Sequence, residues 1–231
     1  MSPLQALGLL AVGTLAGFDL VSGPQVLLAR PLVAGTLAGL VLGDVGLGVL
    51  VGGTLELFAL EVLPVGATRY PDHGPGTVGA VYLATALGAG AAPYAVLLAL
   101  AWSELGGWTL RRLRRANGRA LAAATDRLEQ GDPGVAGRLQ AGGALRDLAR
   151  ASLLAGSALL AAWALVRAGV TPPANGVTLW MVIIAAGLAG AVAGAIRTSG
   201  HSLRGIVLGV ALVAGWLAAD LTHGIPLWGG R

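Results

Sequence analysis

Four carboxylates, Asp19, Asp44, Glu56 and Glu61, interrupt segments of the chain that are otherwise almost entirely apolar. If these segments lie in a bilayer, each ionised side chain costs roughly 2.5–3.5 kcal/mol near the bilayer centre on insertion scales. Such a group needs a partner or a water-filled cavity. We therefore take the four carboxylates as the first candidates for a functional site.

Glu56 is the strongest of these candidates because it follows the string Gly52-Gly53-Thr54-Leu55. Two adjacent glycines predict a broken helix, which would free backbone donors and acceptors beside the carboxylate. A carboxylate accepts hydrogen bonds from two neighbouring hydroxyls at once, so a sugar could use both features. The alternative is a buried Glu56 that pairs with Arg30 or Arg69.

The remaining acidic residues and the histidines have simpler interpretations. Asp44 follows a glycine, and its side chain is expected to cap a helix start, as Asp19 and Asp72 could also do. The histidines are isolated in sequence and have no partner at the spacing of a metal site or a nucleophile with its base. We expect structural or solvated roles for them. They are His73, His201 and His223.

The composition places these residues in a membrane protein. Of the 231 residues, 55% are hydrophobic and 11% are charged, and the mean hydropathy is +0.77. The 31 residues between Asp72 and Glu104 and the 29 between Arg167 and Arg197 contain no Asp, Glu, Lys or Arg. Each run exceeds the roughly 20 residues needed to cross a hydrocarbon core. The sequence therefore predicts an all-α polytopic membrane protein with about six to eight apolar segments.

The arginines predict how the protein is oriented. Nine of the 15 arginines lie within residues 111–150, between two apolar regions, and the chain has no lysine. By the positive-inside rule this stretch faces the cytoplasm. The breaker Gly131-Asp132-Pro133-Gly134 divides it into two helical stretches, so we expect a two-helix cytoplasmic arm. The predicted organisation is a membrane region at 1–110, the basic arm at 111–150 and a second membrane region at 151–231.

The apolar segments differ in length, and not all of them need to cross the membrane. Leu55 to Ala67 is too short for a full crossing, so a re-entrant or discontinuous segment fits it better. Three crossings after the arm would place the C-terminus outside. The predicted segments are Leu4 to Ala29, Pro31 to Val51, Leu55 to Ala67, Thr77 to Trp102, Ala151 to Ala168, Val177 to Ile196 and Gly205 to Leu221. Glycines four residues apart, as at Gly35/Gly39/Gly43, predict closely packed helices.

An ordered series of motifs in the first third of the chain resembles a known family. The resemblance covers roughly residues 5 to 80, and Gly-Gly-Thr-Leu-Glu-Leu is its most specific part. On these motifs the chain is similar to the membrane IIC subunit, or sugar channel, of the mannose/fructose/sorbose type of bacterial phosphotransferase system. The motifs are Arg30-Pro31-Leu32-Val33, Leu42-Gly43-Asp44, Gly52 to Leu57, Gly66-Ala67 and Pro71-Asp72.

The resemblance implies a function, partners and a site. It implies a subunit of the bacterial inner membrane that binds a hexose and translocates it together with a second membrane subunit, IID, in a hetero-oligomer. Soluble IIA and IIB would relay phosphate from phosphoenolpyruvate, so no phosphoryl-transfer chemistry, cofactor or metal is expected on this chain. Glu56 becomes the expected sugar ligand, and Thr54, Asp72 and Asp19 are the other candidate substrate-binding residues.

The sequence also departs from this family. Glu61-Val62-Leu63-Pro64 stands where the family usually carries an aromatic residue and an amide. Two alternatives therefore stay open. One is a scaffold or regulatory membrane subunit that has lost transport. The other is a proton-coupled sugar transporter that uses Asp19, Glu56 or Glu61 as a relay.

Overall fold

The structure is a computed structural model that describes residues 1–60, 70–172 and 175–195. This part of the chain folds into eight α-helices, with a short 3₁₀ turn at Ala89–Ala91. The all-α fold predicted from composition is confirmed. In chain order the helices are α1 Pro3–Asp19, α2 Pro31–Leu42, α3 Val45–Ala59, α4 His73–Leu87, α5 Ala92–Ala122, α6 Thr125–Glu129, α7 Pro133–Arg167 and α8 Gly176–Ala195.

Several helices begin where the sequence supplies a cap. Ser2 starts α1 with a capping box, in which its hydroxyl accepts from the Gln5 N–H and the Gln5 side chain accepts from the Ser2 N–H. The predicted break at Gly131–Gly134 is confirmed. There Asp132 accepts a hydrogen bond from the Gly134 N–H at 2.9 Å, and Pro133 takes the first position of α7. Both caps satisfy amide groups that a helix start leaves without intrahelical partners.

Two long predicted segments are each divided. The apolar segment Leu4 to Ala29 is not one helix, because α1 ends at Asp19 and the chain continues as a loop to Arg30. The segment Thr77 to Trp102 is interrupted at Gly88, whose φ of 89° is in the left-handed region that glycine adopts readily. The hydropathy of the sequence alone does not reveal either break.

The helices α2 and α3 form a short hairpin. Gly43, with φ of 82°, ends α2, and the Asp44 side chain caps α3 by accepting from the Leu47 N–H at 3.0 Å. The capping role predicted for Asp44 is confirmed. The hairpin divides the predicted segment Pro31 to Val51, since a 12-residue and a 15-residue helix span only about 18 and 22 Å.

The helix break predicted at Gly52-Gly53 is wrong, because α3 runs through both glycines to Ala59. Gly52 instead permits close packing of the two backbones. A Cβ atom at this position would lie 2.5 Å from the Pro31 carbonyl oxygen. The predicted close packing of Gly-rich helices is thus confirmed for α2 and α3. The part of the segment Leu55 to Ala67 beyond Leu60 lies outside the described residues.

Helix α4 is at the centre of the bundle. Its residues from His73 to Ala84 are all buried, and it packs against α1, α2, α3, α5 and α7. Within the described ranges, two helices are long and apolar enough to cross a membrane, α7 and the Gly176–Gly194 part of α8.

The predicted arm is continuous with the membrane helices. Helix α5 extends from the apolar region through the basic stretch to Ala122, and α7 returns from Pro133 to Arg167. The proposed region boundaries at residues 110/111 and 150/151 therefore fall inside helices. On this returning helix Val135 is buried, whereas Leu145 and Leu148 are exposed.

Some predictions concern residues that the structure does not describe. They are the segment Gly205 to Leu221, the location of the C-terminus and the residues Glu61, Arg69, His201 and His223.

Candidate functional site

Glu56 lies at the open end of the α2–α3 hairpin, where the start of α2 meets the last turns of α3. Its carboxylate forms an ion pair with Arg30 and accepts a hydrogen bond from the Leu32 N–H at 3.1 Å. Leu32 is in the first turn of α2, so Glu56 caps the N-terminal end of the neighbouring helix. Of the two partners considered for Glu56, Arg30 is observed, and Arg69 lies outside the described residues.

The ion pair remains accessible. The Glu56 side chain is 17% exposed and the Arg30 side chain is 29% exposed. An ionised carboxylate has about four lone-pair sites, of which the two observed contacts use two. The pair can therefore accept further hydrogen bonds without being broken.

Asp19 fixes the loop that carries Arg30. It is the last residue of α1 and is 2% exposed, and its carboxylate accepts from the Val26 N–H at 3.0 Å and the Ala29 N–H at 3.4 Å. The same loop holds Gln25 and Leu27 at positive φ. Non-glycine residues adopt this conformation at a cost of about 1–2 kcal/mol. The Asp19 contacts therefore offset backbone strain and position Arg30.

A small cavity of about 60 Å³ lies next to this loop. Its polar lining comes from Arg30, Tyr70 and His73, and apolar residues including Phe58 complete it. His73 is 8% exposed, and its Nδ1 has no hydrogen-bond partner among the described residues. Buried ring nitrogens normally have a partner, so an unpaired one on a residue that lines a cavity marks a place where a small rearrangement would let a polar ligand or water bind. Because the side chain is buried, the solvated alternative for His73 is wrong.

Tyr70 is held in the cavity wall by α5. Its hydroxyl accepts a hydrogen bond from Arg114 at 2.7 Å, and the Arg114 guanidinium lies 4.9 Å from the centre of the Tyr70 ring. Charge-assisted contacts of this kind fix the orientation of an aromatic ring.

The structure does not bring the four predicted ligands together. Thr54 is 5% exposed, and its hydroxyl donates to the Leu50 carbonyl of its own helix at 2.8 Å. Asp72 is fully buried and belongs to a separate charge cluster. Glu56 is linked to the cavity lining by its ion pair with Arg30. Asp19 is linked to it by the loop that its carboxylate holds.

The separate cluster is organised by Arg150. Its guanidinium donates to Asp72 at 2.7 Å, to Asp147 at 2.8 Å and to the Gly17 carbonyl at 2.9 Å. The capping role considered for Asp72 is wrong, because its side chain makes no cap hydrogen bond and pairs with Arg150 instead. The cluster thus ties α1, the start of α4 and α7 together.

Sequence reasoning missed Arg150, which it counted among the basic residues of the arm. The available signal was local. Asp147 and Arg150 are three residues apart, a spacing that places both on one helix face, beside the apolar stretch that begins at Ala151. Their third partner, Asp72, is 78 residues away and could not be inferred from spacing.

The fold and the apolar helices define a polytopic α-helical membrane protein. Residues 3–155 match the sequence profile of the sorbose-specific IIC component of the phosphotransferase system. The chain belongs to this family. The match extends well beyond the motifs at residues 5–80, through the arginine-rich stretch at residues 111–150.

Individual relatives align over shorter stretches. A provisionally named N-acetylgalactosamine permease IIC component 2 of Escherichia coli (strain K12) is 41% identical over 78 residues, which are 34% of this chain and 58% of that protein. The fructose permease IIC component of Bacillus subtilis (strain 168) is 47% identical over 72 residues, 31% of this chain and 26% of that protein. The matched segment thus spans less than two thirds of each relative.

Two solved structures share the fold over nearly the whole chain. One, described as a membrane protein, has a TM-score of 0.65 at 25% identity and covers 93% of this chain and 87% of its own. The other belongs to a complex of the mannose transporter ManYZ with microcin E492. It has a TM-score of 0.61 at 24% identity and covers 96% of this chain and 95% of its own.

Proposed function

We propose that this chain is the sugar-binding and translocating IIC subunit of a phosphoenolpyruvate-dependent phosphotransferase system of mannose type. Membership of the IIC family and the fold shared with the mannose transporter complex support this function. The observation that carries it is local. An accessible ion pair between Arg30 and Glu56 lies beside a cavity that Arg30 and His73 line, and the buried Nδ1 of His73 has no hydrogen-bond partner among the described residues.

These groups suit a hexose. Sugar hydroxyls both donate and accept hydrogen bonds, and Glu56 offers unused acceptor sites while Arg30 offers donors. The His73 Nδ1 adds another polar contact. The cavity of about 60 Å³ is well below the roughly 300–1,000 Å³ of typical small-molecule pockets. We therefore expect it to enlarge when the sugar binds.

The proposed setting is the bacterial inner membrane, with the arm at residues 111–150 on the cytoplasmic side. There IID would complete the sugar pathway, and IIB, recharged by IIA, would phosphorylate the arriving sugar. This chain would supply binding and gating in a hetero-oligomer. The nine arginines of the arm favour this orientation.

The test is uptake of radiolabelled hexose into membrane vesicles that contain this chain, IID and phosphorylated IIB. We expect Glu56→Gln to reduce uptake at least tenfold, because the amide no longer balances Arg30 and offers one acceptor oxygen in place of two. Asp44→Asn is the matched control. It also removes one carboxylate, but Asn remains a good N-cap, and Asp44 does not line the cavity.

The chemical form of the internal sugar separates the alternatives. Phosphorylated sugar that depends on Glu56 supports the proposal. Accumulation of unmodified sugar would indicate proton coupling, and absence of any binding in an assembled complex would indicate a scaffold. Neither alternative is favoured by a specific contact. A relay through Asp19 or Glu56 would have to break the hydrogen bonds and the ion pair that hold these carboxylates.

A further inference from the structure

A second and larger concave site lies between α5 and α7. These antiparallel helices leave an open groove of about 550 Å³ along their seam. At one end the walls are the leucines Leu105, Leu153 and Leu154, and at the other end they are Arg112 and Arg146. Arg150, whose charge is paired with Asp72 and Asp147, lines the groove between the two ends. The groove is thus apolar at the membrane end and basic at the arm end.

The two arginines at the basic end lack acidic partners in the described part of the chain. Arg112 lies 3.9 Å from the centre of the Trp108 ring, and Arg146 donates to Asn117 at 2.9 Å. By contrast, Arg127 and Arg138 both pair with Asp132. The mouth of the groove therefore presents two positive charges that no carboxylate balances.

The groove also lies at a suitable depth in a bilayer. Arg146 and Arg167 are 21 residues apart on α7, or about 31 Å, which matches a hydrocarbon core of about 30 Å. Trp108 is 43% exposed beside Arg112, as expected for a residue at the headgroup level. From Leu105 to Ala116 the groove follows α5 for about 17 Å, close to half the core thickness.

We propose that this groove binds one anionic phospholipid. Arg112 and Arg146 hold its phosphate and charged headgroup at the arm end, and an acyl chain follows the leucines toward the bilayer centre. Leu153, which is 75% exposed, is thereby covered. The charge at the mouth selects an anionic headgroup over a zwitterionic one. This site is separate from the proposed sugar site, and its test does not depend on transport.

The test is native mass spectrometry of the purified protein with its membrane partner, titrated with phosphatidylglycerol and, in parallel, phosphatidylcholine. We expect one tightly retained phosphatidylglycerol per chain. The variant Arg112→Gln/Arg146→Gln should weaken its apparent affinity roughly 30-fold, because one basic residue near an anionic surface contributes about fivefold. The control Arg115→Gln/Arg119→Gln removes the same charge from residues outside the groove and should change affinity less than threefold.

A second variant separates the groove from the charge. Ala149 is an exposed residue in the lining, and Ala149→Trp fills the groove without altering any charge. It should also abolish the tightly bound lipid. Any one of three results would overturn the proposal. They are equal retention of phosphatidylcholine, equal effects of the two arginine pairs, and unchanged binding in Ala149→Trp. A wild-type complex without bound lipid would also overturn it and would indicate that a partner helix fills the groove.

Discussion

The buried Arg150 cluster predicts a large effect from a single substitution. Arg150 is 9% exposed, and Asp72 and Asp147 are fully buried. Replacing Arg150 with Met would leave two buried carboxylates without their cation. Removing one partner of a buried ion pair costs about 3–5 kcal/mol. For a chain of this length, at about 2–4 °C per kcal/mol, the expected fall in Tm is about 6–20 °C.

The assay is thermal unfolding of the detergent-solubilised protein, followed by intrinsic tryptophan fluorescence. Arg119→Met is the matched control, because Arg119 is an exposed arginine of α5 outside the groove, and its side chain contacts only a backbone carbonyl of its own helix. It should shift Tm by less than 2 °C. If Arg150→Met behaves like this control, the cluster does not stabilise the fold and the reasoning is refuted.

A compensating variant tests the electrostatic explanation. Asp72→Asn and Asp147→Asn, introduced together with Arg150→Met, remove all three charges. Replacing a complete buried ionic group with neutral residues is often close to neutral. We therefore expect the triple variant to recover more than half of the Tm lost by Arg150→Met. No recovery would mean that packing of the arginine side chain is responsible for the loss.

Two further predictions concern the hairpin and the arm. Gly52→Ala should destabilise by about 1–3 kcal/mol in the same thermal assay, because its Cβ would meet the backbone at Pro31. Gly53→Ala should be neutral or stabilising, because its Cβ would make only an ordinary contact with the Leu32 side chain at 3.8 Å. In the arm, the Gly134 N–H hydrogen bond, followed by contact with Arg127, lowers the pKa of Asp132. The ionised Asp132 carboxylate therefore stabilises the fold above the unfolded pKa of Asp. This stabilisation is lost as the pH falls through the lower pKa of Asp132 in the folded protein. Between pH 7 and pH 3, Asp132→Asn should show a smaller loss of stability than wild type.

The sequence was informative where local chemistry decides the structure. The cap at Asp44 and the break at Gly131–Gly134 follow from residues within one turn of each other, and both were predicted. Apolar composition was sufficient for the membrane fold. Gly52-Gly53 was misinterpreted because adjacent glycines favour either a broken helix or a close helix pair. Only the presence of α2 beside α3 selects the second outcome.

The site was predictable only in part, for a similar reason. The motif indicates Glu56 and left Arg30 or Arg69 as its partner, and the structure shows the pair with Arg30, 26 residues earlier at the start of the same hairpin. His73 looked isolated in sequence. It becomes significant only when the bundle buries it beside the loop that Asp19 holds. The sequence could not single out Arg150, since an arginine-rich stretch does not reveal which arginine faces the interior.

The two charge clusters together indicate which element moves when the cavity opens. Arg150 ties Gly17 and Asp72 to α7, so one wall of the cavity is anchored. The opposite wall belongs to the α2–α3 hairpin, whose close backbone packing holds it together as a unit. Since the cavity is too small for a hexose, we expect the hairpin to move as a rigid body.

Spin labels can test this motion, because the chain has no native cysteine to replace. Labels at the exposed positions Leu40 and Leu160 should report a changed distance between hairpin and α7 when sugar is added. Labels at Leu40 and Leu50, both within the hairpin, should report none. A change within the hairpin, with the distance to α7 constant, would show that α2 and α3 separate instead. The packing at Gly52 would then be the contact that yields.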